Sequence, residues 1–305
     1  MKATVGAIEA EGLRRDLPER VSRIVQSQVV TDMHTHVYGP AFGASPNSTG
    51  LLLWGIDELL RYHYLIAEVF RVVPATEFPY EKFWAMSRTE QADHIWKNLF
   101  VRRTPISEAC CGVLTTLSRL GLDPNESTLD PYRRWFSQQK ADAYLDTAMR
   151  LANVDCLVMT NEVFSDHEHA LWLNHPEVGS DPRFKAVLRI DLLLSDWRAA
   201  VAVLRSWDFQ VSEDFSGQTV VETKRFLHEW IDRMKPVYVA MSLDPVFRYP
   251  APDRPASDRM IRDILMPVLA EHGLAWAMMI GSKRVVNPAL RDAGDVGQKG
   301  DPLSV

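Results

Sequence analysis

The sequence predicts an α/β fold, a (β/α)8 barrel of the TIM type, with a large helical insertion after the first strand. Three observations predict it. After residue 152, short apolar runs alternate with amphipathic helical stretches, which is the pattern of βα units around a parallel sheet. These runs are apolar on both faces, as buried parallel strands are. A His-x-His pair ends the first run, at the strand end where such barrels carry their functional residues.

The first predicted strand leads into the segment Asp-x-His-x-His, which places His34 and His36 at its end. Side chains two apart on a strand point to the same face, so the two imidazoles face the same way. Such a pair can bind one divalent metal ion. The alternative is structural, with one histidine hydrogen-bonded in the core and the other exposed. Residues 37–40 include Gly and Pro and end the strand at once.

A mainly helical segment is predicted before this strand, over residues 10–27, where apolar residues recur every three or four positions. Pro18 fits the first turn of a new helix within it. Residues 39–50 predict a loop. The next hundred residues predict helices and no strand, with helical periodicity over 56–71, 80–86, 89–99, 106–120 and 130–152.

The domain organisation follows from these patterns. Residues 1–38 and 153–305 are assigned to the barrel domain, and residues 39–152 to a helical insertion subdomain. Four tryptophans of the insertion are expected to anchor its packing, namely Trp54, Trp84, Trp96 and Trp135.

After the insertion, strands and helices alternate. Strands are predicted over 154–160, 185–191, 236–243 and 274–280, and helices over 166–173, 197–207, 219–234 and 257–272. A further strand is considered near residues 209–211, and the polar tail from residue 294 predicts none. Five clear strands fall short of eight. The sequence therefore predicts either an irregular fold or a barrel that lacks its last strands.

Composition excludes several classes of protein. The formal net charge is −6 and the Lys and Arg residues are scattered, which argues against binding to nucleic acid or to an anionic membrane. The N-terminus does not have the pattern of a signal peptide, and no apolar run is long enough to span a bilayer. Cys110, Cys111 and Cys156 have no disulfide spacing and are expected to be small core residues. A cytoplasmic location is expected.

Several segments resemble uronate (glucuronate) isomerases of the amidohydrolase superfamily. They are TDMHTH at 31–36, LWGIDELLRYHYL at 53–65, RID at 189–191 and IGSKR at 280–284, together with Asn287 and the helical insertion. The His-x-His is shared by the whole superfamily, whereas the Tyr-His-Tyr-Leu block is more particular to this family. The resemblance extends over nearly the whole chain.

The resemblance implies a function and a set of site residues. Such enzymes interconvert D-glucuronate and D-fructuronate, or galacturonate and tagaturonate, in hexuronate catabolism, and they bind one divalent metal ion, for which zinc is expected. The implied partner is a small-molecule hexuronate, and the resemblance is compatible with assembly of the chain into a homo-oligomer. The implied roles are metal ligation by His34 and His36, catalysis by His63 and Tyr64, and substrate binding by Arg189, Arg284 and Asn287.

The chain also departs from the family pattern. Family members run longer and carry a third metal ligand, an Asp at the end of the last barrel strand, which this sequence does not contain. Met279 stands where many members have His. These departures favour a chain that is truncated at its C-terminal end.

Alternatives remain open for individual residues and for the whole chain. Without the resemblance, His63 and Tyr64 would be ordinary residues of an amphipathic helix, and Arg189 would form a salt bridge with Asp191 or another acid. A second His-x-His, His167 and His169, lies at a predicted helix start, where residues two apart point about 200° apart and cannot share a metal. The alternative functions are a metal-dependent hydrolase of the same superfamily and a non-catalytic remnant.

Overall fold

The computed structural model describes residues 16–42, 55–175, 177–297 and 299–300. The predictions for residues 10–15, for Trp54, for most of the loop at 39–50 and for the last residues of the chain lie outside the described residues.

The strands occur where the sequence predicts them, and two short ones are added. They are β1 Val30–Thr35, β2 Val154–Met159, β3 Phe184–Ala186, β4 Leu188–Arg189, β5 Tyr238–Leu243, β6 Ala275–Ile280, β7 Ser282–Lys283 and β8 Val296–Gly297. The strands β3 and β4 are two parts of one predicted run, separated by Val187.

The first six strands form one parallel layer in chain order. One sheet has the order β1-β2-β3 and the next has the order β4-β5-β6, with all pairs parallel. Backbone hydrogen bonds join the two sheets, because Val187 N donates to Met159 O (3.0 Å) and Val237 N donates to Ala186 O (2.9 Å). The carboxyl ends of β1, β2, β4, β5 and β6 therefore lie along one edge of a continuous layer.

Both faces of this layer are buried at its centre. Leu157, Met159 and Val239 pack in a large cluster with the surrounding helices. Their neighbours Val158 and Ala240 point to the opposite face and pack in a small cluster there. Two-sided burial explains why the runs are apolar throughout instead of alternating. The prediction of a parallel α/β sheet is confirmed.

Helices precede, separate and flank the strands. They are α1 Leu17–Ser27, α2 Ile56–Leu60, α3 His63–Val72, α4 Tyr80–Ala85, α5 Arg88–Trp96, α6 Glu108–Arg119, α7 Asp130–Ser137, α8 Ala141–Ala152, α9 Asp166–Asn174, α10 Leu192–Ser195, α11 Trp197–Ser206, α12 Thr219–Met234, α13 Pro255–Arg259 and α14 Met266–His272. Short π-helical turns extend α5 through Lys97–Val101 and join α13 to α14 through Met260–Leu265.

The helices between β1 and β2 pack in a second hydrophobic cluster, which Ala293 from the segment after β7 also joins. It contains buried residues of α2 to α7, including Leu60, Phe83 and Trp96, and the partly buried Trp84 and Trp135 pack against it. The last of these helices is different, because Leu145 and Met149 of α8 pack in the cluster of the parallel layer. The division into a barrel domain and an insertion at residues 39–152 remains a prediction, and α8 packs on the barrel side of it.

Some predicted elements are wrong in detail. Residues 209–211 form no strand, and the apolar Phe209 and Val211 are instead buried from a loop. The tail contains β8, which pairs antiparallel with β7. The helix predicted over 56–71 is interrupted at Tyr62, and the one over 130–152 at Lys140, because both residues have extended backbone angles that apolar periodicity does not reveal.

Two predictions on single residue types also need correction. Cys110 is buried as expected, but Cys111 is exposed and Cys156 is half-buried.

Every helix within the described ranges is too short or too polar to cross a bilayer.

Candidate active site

The histidine pair lies at the carboxyl end of β1. The rings of His34 and His36 have their centroids 5.5 Å apart and are nearly perpendicular, at 86°. The pairing of β1 with β2 is irregular between Asp32 and Thr35. The Asp32 carboxylate accepts a hydrogen bond from the backbone N of His34 (3.1 Å), which braces the strand end. The predicted juxtaposition of the two imidazoles is therefore present.

Both histidines are held in the neutral form. They remain accessible to solvent, yet the surrounding protein removes enough water from the rings to lower both pKa values. The pKa of His36 falls to about 4, through this desolvation first and then through the positive fields of His34, Arg189 and His63. At neutral pH each ring therefore keeps a lone pair for a proton or a metal.

The pair fits a metal ion as two of its ligands. Neutral imidazole is the form that binds a divalent metal. However, no group of three His, Cys, Asp or Glu side chains that could hold a metal occurs among the described residues. The residues present thus supply part of a ligand set.

Arg189 is the last residue of β4, at the same edge, and forms an ion pair. Its Nε donates to Asp191 Oδ2 (3.0 Å) and its Nη2 donates to Asp191 Oδ1 and to Ser242 Oγ (3.0 Å). The backbone N of Ser242 also donates to Asp191 Oδ1 (2.9 Å). Arg189 and Asp191 are both buried. The salt bridge that the sequence left open as an alternative is present, and it occupies one edge of the guanidinium.

Arg284 lies on the other side of Asp191. Its Nη2 is 3.7 Å from Asp191 Oδ1, and its side chain is 57% exposed. Two guanidinium groups therefore flank one carboxylate at the carboxyl ends of β4 and β6. The cluster of Arg189, Asp191 and Arg284 has an excess positive charge beside the histidines.

The Tyr-His-Tyr block reaches the histidine pair from the helical segment. Tyr62, His63 and Tyr64 form an aromatic group with ring centroids 4.1–5.3 Å apart. Tyr62 and Tyr64 line a cavity of about 340 Å³ together with His36. The remaining walls come from the end of β1 and from α2, α3 and α6, including Leu59, Ala109, Gly112, Val113 and Thr116.

Asn287 has a different environment. Its amide nitrogen donates to the hydroxyl of Tyr80 (3.3 Å) and its amide oxygen accepts from Ala289 N (3.1 Å). The first contact ties the loop after β7 to α4, and the second lies within that loop. The described contacts of Asn287 are therefore those of a residue that fixes a loop, and its predicted role in substrate binding remains a prediction.

The structure adds to the site several residues that the sequence does not single out as functional candidates. Thr160 and Asn161 follow β2 at the same edge and are almost fully buried. The Thr160 hydroxyl lies 3.1 Å from His36 Nδ1. Their position directly after an apolar run could have identified them from the sequence, as the same kind of position identified Arg189.

Glu168 lies behind these residues in α9. It is only 2% exposed. Its carboxylate accepts from the side chain of Asn161 (3.0 Å) and from Glu162 N (3.2 Å). Burial raises its pKa to about 7. The sequence predicts a helix start in this segment and no site residue.

The structure is similar to those of two solved proteins. One is a uronate isomerase from Bacillus halodurans, with a TM-score of 0.87 and 46% sequence identity, covering 95% of this chain and 66% of that chain. The other is a glucuronate isomerase from Caulobacter crescentus, with a TM-score of 0.58 and 12% identity, covering 89% of this chain and 63% of that chain. At 12% identity the second similarity shows a shared fold alone.

No family model matches the chain, and no curated protein sequence matches it. The chain spans slightly less than two thirds of the length of the two solved structures that it matches.

Fold and site together define an α/β protein whose polar residues converge at the carboxyl ends of parallel strands. The resemblance drawn from the sequence is confirmed at 46% identity over nearly the whole chain. The chain belongs to the uronate isomerase family.

Proposed function

We propose that the protein is a uronate isomerase, which interconverts D-glucuronate and D-fructuronate, or galacturonate and tagaturonate. The observation that carries this proposal is the 46% identity to a uronate isomerase over 95% of the chain. The cluster of neutral histidines, guanidinium groups and tyrosines at one edge of the sheet supports it. The same identity favours the isomerase over the hydrolase and the non-catalytic remnant.

The proposed fold of the whole protein is a (β/α)8 barrel, of which this chain supplies the first five strand positions. Within the described residues, β1 pairs only with β2 and β6 only with β5. Val30 and Met33 of β1 are exposed, and α1 exposes an apolar stripe of Leu17, Val21, Ile24 and Val25. Further βα units between β6 and β1 would pair both open edges and cover these residues.

The proposed reaction moves a proton between C2 and C1 of an open-chain uronate. It needs a fixed carboxylate, a base near C2 and an acid near the carbonyl oxygen. His63 and Tyr64 are the proposed proton-transfer groups, since both lie close to His36. A divalent metal ion such as zinc, held by His34 and His36 as two of its ligands, would polarise the carbonyl or orient a hydroxyl. We place the enzyme in the cytoplasm, in line with its free thiols.

The substrate carboxylate is proposed to bind at Arg284 more than at Arg189. One edge of Arg189 is occupied by Asp191, whereas Arg284 is more than half exposed and only 3.7 Å from that carboxylate. An arginine that turns from a weak contact to an incoming carboxylate loses little. Arg189 would then maintain the positive potential and hold Asp191 in place.

Steady-state kinetics with D-glucuronate test the function and this assignment together. We expect Arg284→Ala to raise KM about 10- to 100-fold, because a charge-assisted hydrogen bond to substrate is lost. Arg262→Ala is the matched control, since Arg262 is exposed and pairs with Asp263 on the outer helices. Arg189→Ala is a poor test, because it would leave Asp191 buried without its partner. Absence of isomerase activity in the unmodified protein would contradict the proposed function, and an unchanged KM would contradict the role of Arg284.

A further inference from the structure

Thr160 directly follows β2 and is hydrogen-bonded to the end of β1. Its side chain and backbone are almost fully buried, at 2% exposure. Its backbone N donates to Thr35 O (3.2 Å), and its carbonyl oxygen accepts a short hydrogen bond from the Tyr38 hydroxyl (2.7 Å). Tyr38 is itself buried at 2% exposure. Thr160 therefore has little freedom to move relative to the end of β1.

The hydroxyl of Thr160 has three polar neighbours, one on β1 and two just beyond it. Oγ1 lies 3.1 Å from Thr35 O, which can only accept, and 3.1 Å from His36 Nδ1, which can donate or accept. A hydroxyl has one proton. Because that proton is directed to the Thr35 carbonyl, the hydroxyl oxygen accepts at its contact with His36. The Tyr38 hydroxyl, 3.4 Å from Oγ1, directs its own proton to the Thr160 carbonyl.

We propose that Thr160 is a positioning residue that holds His36 in the Nδ1–H tautomer. The tautomer of a neutral imidazole is set by the hydrogen bond that one of its nitrogens makes. With the proton on Nδ1, the lone pair is on Nε2. The same hydrogen bond fixes the ring orientation at the wall of the 340 Å³ cavity.

The consequence for the site rests on the proposed function. A lone pair on Nε2 is the feature that a metal ion or a substrate hydroxyl would use at His36. The partner of the other ring nitrogen commonly tunes such a histidine, and its removal costs about 10- to 100-fold in metal affinity. In this chain the partner is a hydroxyl from the neighbouring strand end, placed by the pairing of β1 with β2.

Nitrogen-15 NMR of the histidine rings tests the inference directly. Protein labelled with [15N]histidine gives long-range proton–nitrogen correlations that distinguish the two tautomers, and His36→Asn assigns the His36 signals. We expect the Nδ1–H tautomer in the unmodified protein. Thr160→Val removes the hydroxyl at nearly constant volume and should give a mixture of tautomers, whereas Thr160→Ser should restore Nδ1–H. Zinc affinity of the unmodified protein and the two variants should follow the same order, with a loss of about 10- to 100-fold for valine.

Thr31→Val is the matched control, since Thr31 lies on β1, the strand that leads to His36, and its hydroxyl donates to Asp155 (3.3 Å) and not to a histidine. It should leave the His36 signals unchanged. An Nε2–H tautomer in the unmodified protein overturns the inference even if the valine variant does not fold. A tautomer that is the same in the valine variant also overturns it. Correct tautomers in a protein without isomerase activity would instead contradict the proposed function and leave the inference standing.

Discussion

The chain contains two His-x-His segments, and the structure treats them in opposite ways. His34 and His36 are at the end of a strand, and both rings lie at the candidate site 5.5 Å apart. His167 and His169 are in the first turn of α9, where the first is exposed and the second stacks on Trp207 with ring centroids 3.8 Å apart. The residue between the second pair, Glu168, is the one that is buried.

The difference shows that spacing has a meaning only together with the secondary structure around it. On a strand, residues i and i+2 share a face, whereas on a helix they diverge and residue i+1 has its own direction. The start of α9 therefore contributes the buried carboxyl of Glu168 beside the site. Of its two histidines, His169 packs on Trp207 and His167 is exposed to solvent. The predicted failure of His167 and His169 to share a ligand is consistent with their placement.

The largest expected contrast is in catalysis. His36→Ala should lower isomerase activity at least about 100-fold, since a group at the reacting centre is lost. His167→Ala should leave activity unchanged, because His167 is exposed on the outer side of α9. Turnover of D-glucuronate by both variants, with circular dichroism to check folding, measures the contrast. Equal losses in the two variants would remove the distinction between the segments.

The next contrast is in the pH dependence of stability. Burial raises the folded-state pKa of Glu168 from 4.5 to about 7. The folded protein then holds this proton more tightly than the unfolded chain does, so its contribution is fully present below about pH 4.5 and is lost as pH rises through about 7. The loss is on the order of 3 kcal/mol.

Glu168→Gln should abolish this fall in stability, because an amide of similar shape does not ionise. Urea unfolding at pH 5 and pH 8 gives the free energy of unfolding of both proteins. Relative to the unmodified protein, the glutamine variant should gain stability at the higher pH. A pH dependence that is the same in both proteins would show that Glu168 titrates normally.

The smallest effect concerns the ring of His169. Its stack on Trp207 should contribute about 1 kcal/mol, so His169→Ala should lower the free energy of unfolding by about that amount. His169→Phe should retain most of it, since Phe keeps the aromatic contact and replaces a buried ring nitrogen, Nδ1, for which the structure shows no hydrogen-bond partner within the described ranges. Denaturant titrations at one pH measure both. Equal losses for Ala and Phe would show that the aromatic stack does not account for the contribution.

The sequence predicts well the features that depend on the order of apolar and polar residues within a single strand. Period-two alternation placed His34 and His36 together, and two-sided apolar runs identified five strand positions of the parallel layer. The breaks at Tyr62 and Lys140 were not predicted, because apolar residues continue at helical spacing on both sides of each break. The loop residues Phe209 and Val211 imitated a strand because tertiary packing buries them.

The partners within the site depend on register and could not be predicted. Ser242 binds Arg189 because β4 and β5 pair as they do, and Thr160 meets His36 because β1 and β2 end together. The burial of Glu168 has no signature in the sequence, since an acid in a first helical turn is ordinary at the surface. Its fixation by Asn161 follows only from the fold.

The chain-order arrangement of the strands has a consequence for how the protein folds during synthesis. From β3 to β6 each strand docks beside the one made just before it, so the layer can grow as the chain leaves the ribosome. β1 is the exception, because residues 36–153 must be made before its partner exists. Closing a long loop costs entropy that grows only slowly with length. Residues 56–136 supply nearly all of the second hydrophobic cluster. By folding first, this segment would bring β1 to its partner strand as part of a compact unit.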